Sequence, residues 1–236
     1  MAKKALEGIR VIEHGMYWTV PHACQIMANM GAEVIKVESI QYYDPVRMYL
    51  NPRALGMIEG AQWAYREQGE HPWNRSNYYN DGNLGKLSLT LDLTGPKGKE
   101  LYKKLVQKSD VVLANMSAGV MDSWGLSYDV LKEVNPGIIM VLAPAYGVEG
   151  PESDYVAFGA NQWQASGFAS ITGYPDLGPM QASINYGDPG AGLPIVGFVM
   201  AALLHRERTG KGQFIDVSQA ETMGSYIGEM MLDYAF

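Results

Sequence analysis

Short apolar runs rich in β-branched residues alternate along the chain with amphipathic stretches of helical length. Arg10–Glu13 reads as a first strand, Pro21–Met30 as a helix and Glu33–Glu38 as a second strand. Lys86–Leu93 sets Leu87, Leu89 and Leu91 against Ser88, Thr90 and Asp92, the period-two alternation of a half-buried strand. Thr94-Gly95-Pro96 predicts a helix start, with the threonine as cap and the proline in the first turn, running to about Lys108. Asp110–Ala114 and Ile138–Ala143 are continuous apolar strands, and Tyr128–Val134 between them is a short helix that stops before Pro136. A long apolar run from Leu193 to Leu204 follows a glycine-rich helix start, and the polar turn Arg206–Gln213 leads into a strand at Phe214–Val217. A last helix is expected over Gln219–Tyr234. Uninterrupted apolar strands, each followed by a helix, predict an α/β fold with a parallel sheet covered on both faces.

The stretch from Gln41 to Gly82 breaks this rhythm. It reads as a loop with Asn51-Pro52, His71-Pro72 and the aromatics Tyr42, Tyr43, Tyr49, Trp63, Tyr65, Trp73, Tyr78 and Tyr79. A loop of that length is usually functional or an interface, and its rings are expected to pack on their own domain or on a partner subunit.

Of the 236 residues 47% are apolar and 18% charged, which is the profile of a globular chain. The net charge of −7 gives no support to nucleic-acid binding, and no uninterrupted apolar run reaches the roughly 18 residues of a membrane helix. The opening Met-Ala-Lys-Lys-Ala-Leu-Glu-Gly lacks the apolar core of a signal peptide, so a cytoplasmic setting is expected. Cys24 is the only cysteine, which excludes an internal disulfide and a cysteine-based zinc cluster. The four histidines, His14, His22, His71 and His205, lack metal-ligand spacing, so no metal is expected. Glu13-His14-Gly15-Met16-Tyr17-Trp18-Thr19 holds no dinucleotide fingerprint, and neither a P-loop nor a Gly-x-Ser-x-Gly elbow occurs.

One carboxylate stands out. Asp188, in Ile184-Asn185-Tyr186-Gly187-Asp188-Pro189-Gly190, precedes a proline at a helix start. That context suits a helix cap. It equally suits a nucleophile, since a helix N-terminus favours the ionised form and glycines 187, 190 and 192 keep the approach uncrowded. Local pattern does not choose between the two.

Several stretches, in order along the whole chain, resemble the class III CoA-transferase family, which includes formyl-CoA:oxalate, carnitine and benzylsuccinate CoA-transferases and the α-methylacyl-CoA racemases. They are Leu6-Glu7-Gly8-Ile9-Arg10-Val11-Ile12-Glu13, Met30-Gly31-Ala32-Glu33-Val34-Ile35-Lys36-Val37-Glu38 with Asp44-Pro45-Val46-Arg47, and Lys86–Leu93. Further along come Ser109–Asn115 with Gly119-Val120-Met121 and Gly125-Leu126, then Ser166-Gly167, Thr172–Asp176 and Glu207–Ser218. The resemblance implies a Rossmann-like parallel sheet flanked by helices, the family's large domain over residues 1–236, with the irregular segment at about 41–82 inserted and the small domain absent. It also implies a homo- or hetero-oligomer with another family member.

The resemblance assigns Asp188 as the catalytic nucleophile, attacking an acyl-CoA thioester and passing CoA to a carboxylic acid through anhydride and aspartyl-CoA intermediates. CoA is then a co-substrate, with no permanently bound cofactor. Its contacts are expected at Tyr17, Trp18 and Thr19 in the first loop, Ser39 after the second strand, and Asn115 and Met116 after the Asp110–Ala114 strand. The chain departs from relatives at Trp18 (glutamine in several), Ser39 and Ser123 (arginines) and Gly159 (a carboxylate), with Lys36, Arg47 and Arg75 the basic residues placed to compensate. Phe158 stands where the racemase branch has its proton-transferring histidine, which disfavours racemisation. Phe158-Gly159 and Pro72–Ser76 look closest to the branch acting on aromatic succinates in heteromeric enzymes. The rival expectation is a non-catalytic partner subunit that keeps Asp188 only as a cap.

Overall fold

The computed structural model describes residues 3–47, 70–182 and 186–236. Six strands form one sheet: β1 (Arg10–His14), β2 (Glu33–Glu38), β3 (Leu87–Thr90), β4 (Val111–Ala114), β5 (Ile139–Leu142) and β6 (Phe214–Asp216). Their order is β3-β2-β1-β4-β5-β6 and every pairing is parallel. The order reverses between β1 and β4, so the loops leaving these neighbours diverge and open a crevice at the C-terminal edge of the sheet.

Side-chain alternation along the central strands divides the core. Val11, Val34, Val111, Leu113, Ile139 and Val141 face one layer, built from α1 (Thr19–Asn29) and a long later helix (Gly187–Thr209). Ile12, Val37, Val112 and Met140 face the other, with Tyr102 and Val106 of α3 (Pro96–Val106) and Leu131 of α5 (Tyr128–Val134). Both faces are therefore covered, as continuous apolar strands require.

The remaining helices are short: α2 (Asn77–Asp81), α4 (Val120–Ser123), α6 (Gly159–Ala165), α7 (Phe168–Ile171), α9 (Gln219–Gly224) and α10 (Gly228–Ala235), with the long Gly187–Thr209 helix as α8. α8 is long and apolar enough to cross a membrane by length and composition. Here Ala191, Gly192, Ile195, Val196, Val199 and Ala202 are buried. Pro194 lacks the N–H that would serve the Gly190 carbonyl one turn earlier. The Tyr226 hydroxyl donates to that carbonyl instead, at 3.0 Å, so the first turn of α8 stays satisfied.

Four local expectations need correcting. The expected strand over Lys86–Leu93 is only four residues long and lies at the sheet edge, where Leu87 is 55% exposed because it has a neighbouring strand on one side only. Thr94 does not cap α3. Gly95 holds that position, while the Thr94 amide and hydroxyl both donate to Asp92 Oδ1. The last helix is broken into α9, a 3₁₀ turn at Ser225–Ile227 and α10, since Gly224 and Gly228 each weaken helix by about 1 kcal/mol.

The segment 41–82 is not all loop. It has 3₁₀ turns at Pro45–Arg47 and Pro72–Asn74 before α2. Tyr79 is buried, with Arg47 stacked 3.5 Å over its ring, whereas Tyr42, Trp73 and Tyr78 are exposed. Asn51-Pro52, Tyr49, Trp63 and Tyr65 lie outside the described residues, as do Ile184 and Asn185.

Candidate active site

The loop between β1 and α1 is built to hold one shape. Gly15 closes against Pro21 and Glu13, where a Cβ would meet Pro21 Cδ at 2.6 Å. The Gly15 carbonyl accepts from Lys36 Nζ at 2.6 Å. The Met16 amide donates to Asn115 Oδ1 and its carbonyl accepts from Asn115 Nδ2, both at 2.8 Å, which ties the β1 and β4 loops together at the reversal point. Tyr17 adopts a left-handed conformation (φ 59°), uncommon for a side chain of its size, and its amide donates to Asp44 Oδ1 at 3.1 Å.

Beneath this loop lies a buried charge cluster. Lys36 is 1% exposed and pairs with Glu13 Oε1 at 3.0 Å and Asp44 Oδ2 at 2.9 Å, so its three donors are all used. Burial alone would depress its pKa, but Glu13 and Asp44 outweigh that and push it up, keeping it charged. Lys86 Nζ lies 2.7 Å from Glu13 Oε2. Arg47 binds Glu38 through two nitrogens, with Tyr79 Oη, Trp73 O and Asn74 Oδ1 as further acceptors. Lys36 and Arg47 are thus committed to protein acceptors and do not stand in for missing arginines.

A cavity of about 200 Å³ opens over the C-terminal ends of β1, β2 and β4, lined among others by His14, Met16, Ser39, Thr94, Met116 and Trp124. Of the expected CoA contacts, Ser39 and Met116 line it and Tyr17, Trp18, Thr19 and Asn115 do not. Both ends of the Asn115 amide are spent on Met16. Trp18 occupies the cap position of α1, and Tyr17 lies edge-to-face with Phe158 at 5.2 Å.

His14 is 2% exposed, between the rings of Tyr102 and Trp124. Burial first, then the charge of Lys36, lowers its pKa to about 3, so it is neutral in this wall. The folded state therefore binds fewer protons than the unfolded chain below pH 6.5. Stability should fall from there as the pH drops towards 3, by about 2 kcal/mol at pH 5. Glu38, held at about 2, loses its contribution only below its ordinary value of 4.5. Urea midpoints at pH 7 and pH 5 for the protein and His14→Gln test this: equal slopes in the two would sink it.

Asp188 sits in the first turn of α8, not at its cap, which is Tyr186. Its carboxylate leaves its own helix: Oδ1 lies 2.6 Å from Thr19 Oγ1, and the Gly159 backbone N–H at the start of α6 donates to it. Among the described residues it makes no capping bond to its own helix, the first of the two roles its local pattern allowed. Burial raises its pKa from the ordinary aspartate value, against the lowering effect of those two hydrogen bonds. Glycines make the convergence of the three helices possible. A Cβ on Gly187 would lie 2.3 Å from the Gly159 carbonyl oxygen, and one on Gly192 would lie 2.6 Å from that of Thr19. Met16 in the cavity wall is three residues from Thr19, a span of at most roughly 11 Å.

Gln219, which also approaches Thr19, and Gln162, which donates to Gln219, carry no local sequence signal, because each acts across elements distant in the chain. Among the described residues no group of three or more His, Cys, Asp or Glu side chains comes together to hold a metal.

Comparison with known proteins agrees with this architecture. A succinate–glutarate CoA-transferase from Agrobacterium fabrum (strain C58 / ATCC 33970) is 35% identical over 98% of this chain and 55% of its own length. The alpha subunit of a succinyl-CoA–L-malate CoA-transferase from Chloroflexus aurantiacus is 33% identical over 97% of this chain and 50% of its own. A crystal structure of a CAIB/BAIF family protein from Brucella suis superposes with a TM-score of 0.85 at 30% identity, covering 99% of this chain and 58% of that one. The chain thus spans about half the length of the curated relatives it matches. The model of CoA-transferase family III matches residues 6–236, and the chain belongs to that family.

Proposed function

We propose that this chain carries the nucleophile of a CoA-transferase that moves CoA from an acyl-CoA to a carboxylic acid. The observation that carries the reading is Asp188 itself: a partly buried carboxylate held by Thr19 and Gly159, with no ion pair to a described residue to blunt it. Its oxygen attacks the thioester carbonyl, the C–S bond breaks, and CoA leaves as thiolate from an aspartyl acyl anhydride. The thiolate then attacks the aspartyl carbonyl, releasing the donor acid and forming an aspartyl-CoA thioester. The acceptor carboxylate attacks this thioester, expelling thiolate and forming a second anhydride. Attack of the thiolate on the acceptor's carbonyl gives the new acyl-CoA and restores Asp188.

The cavity over the sheet edge is the site for CoA, with Ser39 and Met116 in its wall. Phe158 (59% exposed) and Tyr17 (40%) form an aromatic shelf beside Gly159, and this supports an acceptor bearing a ring, an aromatic succinate. The remainder of the enzyme is a small domain and a second family member, as the subunit name of the Chloroflexus relative supports. Its setting is cytoplasmic.

The test is to incubate the complete enzyme with an acyl-CoA and hydroxylamine, then digest it and search for a hydroxamate at Asp188 by mass spectrometry. A hydroxamate there is the expected result. Its repeated absence with every partner subunit present would reduce the chain to a non-catalytic subunit. Competition between benzylsuccinate and succinate as acceptors decides the ring preference.

A further inference from the structure

Asp188 ends a buried chain of polar side chains whose proton count depends on its own state. Thr19 is 0% exposed, Gln162 1% and Gln219 4%. Gln219 Nε2 donates to the Ala143 carbonyl at 2.5 Å; a carbonyl only accepts, so this bond fixes which end of the amide points the other way. Gln219 Oε1 accordingly accepts from Gln162 Nε2 at 2.7 Å and lies 2.8 Å from Thr19 Oγ1. Thr19 Oγ1 is also 2.6 Å from Asp188 Oδ1.

One hydroxyl proton thus stands between two acceptor oxygens. With Asp188 protonated, its O–H donates to Thr19 and Thr19 donates to Gln219, so every close oxygen pair holds a proton. With Asp188 ionised, Thr19 must turn its proton to the carboxylate and leave Gln219 Oε1 facing a lone pair.

The geometry points to Thr19, backed by Gln219 and Gln162, as a hydroxyl rotor that positions Asp188 and swings its proton from Gln219 to the carboxylate when the nucleophile ionises. The inference rests on the reading of Asp188 as nucleophile. Thr19 is a positioning residue in this role. The neutral arrangement agrees with the raised pKa that burial imposes on Asp188. Among the described residues no charged group other than Asp188 bonds to Thr19, Gln219 or Gln162. On α1 the titratable residues are His22, near Gly192, whose pKa is lowered chiefly by burial, and the buried Cys24, whose thiol pKa is pushed up by burial. Tyr226 is engaged with Gly190, α6 contributes no titratable side chain, and Glu221 of α9 is exposed.

The test uses Thr19→Val, Thr19→Ser and Gln219→Met in the complete enzyme. It reads kcat, KM for the acyl-CoA, the acid limb of the kcat/KM pH profile and the hydroxamate yield at Asp188. Thr19→Val should lower kcat ~10–100-fold, the worth of one hydrogen bond to a charged group, with KM changed less than about threefold. It should also move the acid limb to higher pH, because a bond to the ionised form is lost. Thr19→Ser should restore both. Gln219→Met, which removes the competing acceptor, should move the limb the opposite way.

A Thr19→Val enzyme with unchanged kcat and pH limb overturns the rotor, as does failure of serine to rescue. So do shifts of the Thr19→Val and Gln219→Met limbs in the same direction. Should Gln219→Met fail to fold, the two Thr19 variants decide alone. A parent enzyme without a hydroxamate overturns the nucleophile itself. A parent with the adduct and an indifferent Thr19→Val overturns only the rotor.

Discussion

Asp188→Asn should reduce transferase turnover by at least ~10³-fold in the complete enzyme, with little change in the affinity for acyl-CoA. Asparagine keeps the size of the side chain and an oxygen that accepts from Thr19, so the convergence of α1, α6 and α8 survives. What it loses is the carboxylate that opens the thioester. Asp188→Glu separates chemistry from placement: the acid is retained but displaced by a methylene, and misplacement of that order costs roughly 10²-fold. Stability should move the other way. The carboxyl is held above its ordinary pKa by burial, so replacing it with a neutral amide should leave the melting midpoint unchanged or higher. Transferase activity within tenfold of the parent in a well-folded Asp188→Asn enzyme would remove Asp188 from the mechanism.

The second large effect concerns Lys36. Lys36→Met should destabilise the fold by roughly 3–5 kcal/mol, because it strands buried carboxylates without their cation. Asp44 depends on it most, since Glu13 retains Lys86. The Gly15 carbonyl loses its donor as well, so the loop leading to Thr19 should loosen, and activity should fall even where the fold survives. Because the pKa of Lys36 is raised, its contribution is present at all pH values below the ordinary lysine value near 10.5 and is lost only as pH rises beyond it. Urea unfolding at pH 7 measures the effect. A Lys36→Met protein within 1 kcal/mol of the parent (a threshold set by the scale of ordinary surface changes) would show that the cluster is not a structural brace.

Much of the fold was legible because it is written in short-range periodicity. Glu33–Glu38 and Tyr128–Val134 have the bounds expected of them, and the apolar runs at β1, β4 and β5 are the central strands. Where local rules misled, a tertiary neighbour or a glycine intervened. The edge position of β3 exposes Leu87, Asp92 takes the Thr94 donors away from α3, and Gly224 and Gly228 divide the last helix. The basic residues show the same limit. Charge can be counted along the chain, but whether Lys36 or Arg47 is available to a phosphate depends on carboxylates that fold over them.

By itself, then, the sequence determined an α/β chain with a parallel sheet, and through its family resemblance it singled out Asp188. Both are readable because hydrophobic period and motif order are properties of neighbouring residues. Only the tertiary structure decided what Asp188 touches. Thr19 is 169 residues away from it, Gln219 is 200 from Thr19, and Gln162 is 57 from Gln219. Those contacts follow from the reversal of strand order between β1 and β4 and from glycines that let α1, α6 and α8 meet backbone to backbone. A cap and a cross-element hydrogen bond use the same carboxylate, and local pattern is identical for both. The packing of distant helices separates them, because it alone sets which donor reaches the oxygen first.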